Sequence, residues 1–145
     1  MVKEKHGVFK WYLTVLVDNY ANFSGRARRQ EYWMYVIFWI LTVITISITL
    51  ELLEDFIDND WSSVTIGVFI LATFIPWLAV NVRRLHDTGK SGSYLFINLI
   101  PIVGRIWYIV LMANSGDTGP NQYGPDPKAP IIDEIDDIGK PVNQD

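Results

Sequence analysis

Two knots of cations stand out in this chain. Arg26, Arg28 and Arg29 lie in SGRARRQEYW, and Arg83, Arg84 and Lys90 lie in NVRRLHDTGKSG. A guanidinium offers a planar fork of donors that matches a phosphate or a carboxylate. Beside a bilayer, each such cation near the surface attracts acidic lipid by about 1 kcal/mol. An anionic headgroup or a protein partner is therefore one candidate ligand for these six residues. Glu31 and Asp87 sit inside the same two segments. If they pair with the arginines, the clusters become structural and fewer charges remain for lipid.

The second segment invites two enzymatic readings. Gly89-Lys90-Ser91 resembles the end of a phosphate-binding loop. That loop needs a Gly five residues before Gly89, and Arg84 stands there. His86-Asp87 resembles half of a catalytic triad or a metal pair, but the one other histidine is His6. Ser91 and Ser93 are the nearest hydroxyls, and nothing fixes either as a nucleophile. A helix end followed by a turn accounts for Asp87, Thr88 and Gly89 more simply. The chain has no cysteine, which removes disulfides, Cys-based metal sites and thiol chemistry. No catalytic residue, cofactor site or metal site is assigned, and nucleic acid is not expected as a partner.

The elements that carry these residues are apolar. No charge occurs from Trp33 to Leu50 or from Trp61 to Val82, and Arg105 is the one charge from Ser91 to Gly116. A bilayer core needs roughly 20 apolar residues in a helix to be crossed. The expected fold is an all-α membrane protein in a single domain over residues 1–128. Its spanning helices are expected at about 33–50, 61–82 and 94–113, with an acidic disordered tail at 129–145. Residues 8–22 read as an amphipathic helix lying in the interface, with Lys10, Thr14 and Asp18 as its polar stripe and Trp11 and Tyr12 at headgroup level. No cleavable leader is evident, so the first span is expected to act as its own insertion signal. Thr42, Thr45, Ser47 and Thr49 are expected to bond neighbouring helices or their own backbone.

Charge asymmetry gives an orientation. The net charge of −4 hides a segregation of signs. Arg26, Arg28 and Arg29 precede the first apolar run, and Arg83, Arg84 and Lys90 follow the second. The loop ELLEDFIDNDWSS between them holds Glu51, Glu54, Asp55, Asp58 and Asp60 and no cation. The positive-inside rule places the N-terminus and the loop after Val82 in the cytoplasm. The acidic loop reads as a solvated outer loop, since its spacing does not match a calcium-binding loop. Pro76 is expected to kink the second helix.

The third apolar stretch is broken by Pro101 and Gly104. As one kinked crossing it would put the C-terminal tail outside. As a re-entrant hairpin it would give four membrane segments and return the tail to the cytoplasm. Two arms of about ten residues each reach only about 15 Å, with polar backbone left at membrane depth. The single crossing is therefore expected. It would place Arg105 roughly 20 Å in from the cytoplasmic side, where a charge snorkels outward or faces a polar partner or a pathway. An oligomeric channel or transporter component built on the broken helix and Arg105 is the alternative function.

Several strings resemble one family. NYANFSGRARRQEYW at 19–33, RRLHDTGKSG at 83–92, LIPIVG at 99–104 and GDTGPNQYGPDPK at 116–128 are similar to the domain-of-unknown-function 805 family of small bacterial inner-membrane proteins. The resemblance covers about residues 9–128. It implies a multi-pass helical protein of the bacterial inner membrane, and it implies no activity. One departure is Ser93 before Tyr94, where the family tends to carry a bulky aromatic pair. The expected function is a non-enzymatic membrane protein, a possible homo-oligomer, whose basic cytoplasmic motifs contact anionic lipid or a partner.

Overall fold

A computed structural model describes residues 7–53 and 59–129. Residues 54–58 of the acidic loop, the tail beyond residue 129 and His6 lie outside the described residues. The described residues form helices and turns, without a strand.

The first element, α1, runs from Val8 to Leu13 and passes into a π-helical turn over Thr14–Asp18. The Asn19 N–H closes that turn on the Thr14 carbonyl at 2.9 Å. Tyr12 and Val15 are buried, and Phe9 and Tyr12 pack on Phe38 and Tyr35 of the next helix. Tyr12 therefore faces protein rather than headgroups. Lys10 and Asp18 of the polar stripe are exposed.

Helix α2 spans Arg29–Leu52 and helix α3 spans Asn59–Asp87. Both are long and apolar enough to cross a membrane by length and composition. At 1.5 Å per residue they extend about 36 and 44 Å. Both outrun the apolar runs at 33–50 and 61–82, because each continues into the basic motifs. Thr42, Thr45 and Thr49 donate to the carbonyls of Phe38, Leu41 and Thr45, four residues back. These threonines serve their own helix rather than a neighbour.

Pro76 lies inside α3 and cannot donate to the Ala72 carbonyl. The Tyr20 hydroxyl fills that place, donating to Ala72 O at 2.6 Å. Next to it, the Tyr35 hydroxyl donates to Thr73 O at 3.1 Å and Trp39 Nε1 to Thr73 Oγ1 at 2.8 Å. Helices α2 and α3 are thus stitched where the proline loosens the ladder. Helix α3 ends as its sequence suggests. Gly89 has φ +69°, its N–H bonds His86 O at 3.1 Å, and Lys90 N–H bonds Leu85 O at 3.0 Å. This is a Schellman end, which needs a residue without a Cβ at Gly89.

The third apolar stretch is not one helix. It is a 3₁₀ segment over Gly92–Leu99, a tight turn, and α4 over Val103–Ala113. Ile102 has φ +62°, and Val103 N–H bonds Pro101 O at 2.7 Å, which is the strained kind of γ-turn. The two arms then fold together. A Cβ on Gly104 would stand 1.9 Å from the Ile97 carbonyl oxygen. Both open ends return to the end of α3, Gly92 against Val82 and Met112 against Arg84. Each arm is only about 16 Å long. The stretch 94–113 is therefore two short arms folded on each other rather than one continuous helix.

Candidate functional site

The polar site sits at the common end of α2, α3 and the hairpin. Ala27 N–H donates to Arg83 O at 3.0 Å, which joins the two basic motifs through backbone. Asp87 is the centre. Arg26 Nε donates to its Oδ1 at 3.0 Å, and Arg84 Nη1 donates to its Oδ2. Arg83 Nη1 donates to Glu31 Oε1 at 2.6 Å. The Arg26, Arg84 and Asp87 side chains are at most 2% exposed. Arg26, Glu31, Arg83, Arg84 and Asp87 are all buried.

Three guanidiniums against two carboxylates leave one positive charge in excess. Backbone carbonyls of the tail and hairpin absorb it. Arg26 Nη1 donates to Gly119 O at 2.6 Å and Nη2 donates to Asp117 O. Arg84 Nε donates to Met112 O at 3.1 Å and Nη2 to Asn114 O. Charged donors on carbonyls are each worth about 1.5–3 kcal/mol. The arrangement is an internal core of charge, fully engaged except at Arg83.

The tail from Gly116 to Lys128 straps this end. Asp117 N–H donates to Asp87 O at 2.7 Å. A Cβ on Gly116 would lie 2.0 Å from Asp87 Oδ2, so only glycine lets the strap approach. Asn121 Nδ2 donates to His86 O at 2.9 Å, and the His86 ring stacks on Tyr123 at 3.8 Å with the planes 2° apart. Asp126 accepts from Gly119 N–H at 3.0 Å and Lys128 N–H at 2.8 Å. These bonds, that from Lys128 foremost, hold its carboxyl below the usual aspartate range.

The six cations therefore divide. Arg26, Arg83 and Arg84 face inward. Arg28 is half-buried, Arg29 is exposed with Nη1 at 3.3 Å from Ala113 O, and Lys90 Nζ stands 5.6 Å over the Tyr94 ring. Glu31 and Asp87 take the pairing positions. Arg105 lies exposed in the first turn of α4, away from this network. From Met112 it is about 10 Å along the α4 axis. The His86 ring stacks on Tyr123, and its Nδ1 donates to Gly25 O, 3.2 Å away.

Sequence reasoning did not find the contact of the Tyr108 hydroxyl with Asn81 Oδ1, both buried, which pins α4 to α3. Nor did it find the carbonyls that receive Arg26 and Arg84. A hint lay in Asn81, an amide next to an apolar run. Among the described residues no cluster of His, Asp or Glu could hold a metal ion.

Long apolar helices, with a charged core sealed at one end, define a helical transmembrane protein. The chain matches the family described as "Protein of unknown function (DUF805)" over residues 20–125 and belongs to it. It is 41% identical over 124 residues to the inner membrane protein YhaI of Escherichia coli K12, covering 82% of this chain and 96% of that one. It is 41% identical over 123 residues to the inner membrane protein YhaH of the same strain, covering 81% and 96%. A more distant relative is the uncharacterized protein YiiR, 26% identical over 80 residues, 54% of this chain and 50% of that one. No solved structure matches the chain.

Proposed function

We propose that the chain is a non-enzymatic inner-membrane protein with two spanning helices, α2 and α3, and a re-entrant hairpin. Its N-terminus, basic end and tail strap all lie on the cytoplasmic side, with the acidic loop outside. The positive-inside rule supports this side for Arg26–Arg29 and Arg83–Lys90, and the returning hairpin brings the tail, with Lys128, to the same end. Arg105 in this arrangement snorkels back to the cytoplasmic headgroups. That reading leaves the channel alternative without its motivating charge.

The function that fits best is contact with anionic headgroups through an outer basic rim of Arg28, Arg29 and Lys90. One observation carries it: half of these six cations are consumed internally, while Arg29 is exposed and Arg28 and Lys90 are half-buried outside the ion pairs. The test is thermal unfolding in mixed micelles. Phosphatidylglycerol should raise the melting temperature more than phosphatidylcholine does, and Arg29→Gln with Lys90→Gln should shrink that difference. An equal response to both lipids would refute the rim.

A further inference from the structure

Arg83 holds an unmet demand. Its side chain is 4% exposed, and among the described residues only Nη1 has a partner, Glu31. Nε and Nη2 are buried with none. Buried charged donors in native proteins ordinarily find acceptors, and an orphan often marks an absent water or ion. This guanidinium lies against the first turn of α2, since Glu31 is the third residue of that helix and Arg83 O bonds Ala27 just before it.

That turn is charged the wrong way for a free helix end. Helix N-termini favour Ser, Thr, Asp or Asn as the cap and acids in the first turn. Here Arg28 is the cap residue and makes no side-chain capping bond, and Arg29 follows it. The one first-turn acid, Glu31, is already engaged by Arg83. Arg28, Arg29 and Arg83 outnumber Glu31 by two charges. Free N–H groups, a positive dipole end and surplus guanidiniums together suit an anion with several oxygens.

We propose that the N-terminus of α2, with Arg28, Arg29 and the spare Nε and Nη2 donors of Arg83, binds one phosphate oxyanion. This deepens the rim reading by giving it a defined seat, and it rests on that reading for the lipid as source. One oxygen accepts from Arg83, and the others accept from the first-turn N–H groups and Arg29.

The test uses the full chain, stripped of lipid in neutral detergent and titrated while thermal unfolding is followed. The arms are phosphatidylglycerol in micelles, phosphatidylcholine in micelles, and inorganic phosphate alone. The informative variant is Arg83→Lys, which keeps a cation for Glu31 but lacks the guanidinium's Nε and Nη2 and their planar fork. Arg28→Gln, at a half-buried position outside the paired network, serves if Arg83→Lys does not fold. The expected result is saturable stabilisation by phosphatidylglycerol, with apparent affinity at least tenfold weaker in either variant. Stabilisation by inorganic phosphate, lost in the variants, would assign the same seat to free phosphate. If both variants titrate like the native protein, the seat is wrong. The rim reading would survive that result provided Arg29→Gln with Lys90→Gln still weakens the lipid response, and would fall with it otherwise.

Discussion

The two ends of the helix pair are built by opposite rules. At the basic end the polar groups are inside: Arg84 is 0% exposed and Asp87 1%. At the far end the apolar groups are outside: Leu71 is 74% exposed and Ile48 52%. The buried residues of α2 are Glu31, Tyr32 and Tyr35, all in its first two turns. A water-soluble fold would not leave so large an apolar surface bare. Hydrocarbon as solvent reverses the requirement, because lipid is as apolar as leucine. The difference teaches where fold stability comes from. In the far half bilayer and backbone hydrogen bonds hold the helices. In the basic half the chain makes its own core, in which ion pairs lie beside buried tyrosines and aliphatic side chains.

The largest effect should come from the centre of that core. Asp87→Asn leaves Arg26 and Arg84 buried without their carboxylate, which should cost about 3–5 kcal/mol. Unfolding in detergent would show it as a large fall in midpoint. A loss under 1 kcal/mol would mean that tail carbonyls alone suffice.

The comparison sharpens with one leucine from each half. Leu85 is fully buried, and Leu85→Ala should cost about 2–5 kcal/mol. Leu71→Ala, at an exposed site, should stay within about 0.5 kcal/mol in the same assay. Equal losses would erase the distinction between the halves.

A smaller effect tests the stitch at Pro76. Tyr20→Phe leaves the Ala72 carbonyl without its donor, at about 1–3 kcal/mol. Adding Pro76→Ala restores a helical N–H for that carbonyl, so the double variant should regain the loss. A double variant no better than Tyr20→Phe would break the account of this bond.

The mildest prediction concerns acid. Asp126 has its carboxyl depressed by two backbone N–H groups, so its contribution is complete above the unfolded aspartate range. It is lost as pH falls through the lower folded value. Protection of the Gly119 and Lys128 amides, taken relative to the intrinsic exchange rate at each pH, should fall there first. Strap protection unchanged between neutral pH and pH about 2 would argue against Asp126 as its anchor.

Much of this was legible from residue types. Charge-free runs located α2 and α3, and Thr88-Gly89 marked the end of α3. Glu31 and Asp87 were visible as acids lodged among arginines. The partners were harder. Nothing in the spacing says that Asp87 takes Arg26 and Arg84 while Glu31 takes Arg83, because that depends on how two distant segments face. The Gly and Pro residues of the strap signal a turn-rich loop. Its work is done by carbonyls of Asp117 and Gly119, and every residue has a carbonyl, so no residue type announces them. The hairpin is hard to read for a similar reason. An apolar run has the same composition whether it crosses or turns back. The turn rests on a strained backbone at Ile102, a residue that rarely adopts positive φ. Gly104, which permits the arms to touch, signals only a break.

The most direct test of the hairpin and of the shared basic end is sided labelling. The chain has no cysteine, so each one introduced is unique. Ser63→Cys and Gln122→Cys would be exposed to a membrane-impermeant maleimide in spheroplasts. The account predicts that Ser63→Cys labels in intact spheroplasts and Gln122→Cys only after they are broken open. Labelling of Gln122→Cys from outside would put the strap across the membrane from its arginines and contradict the account.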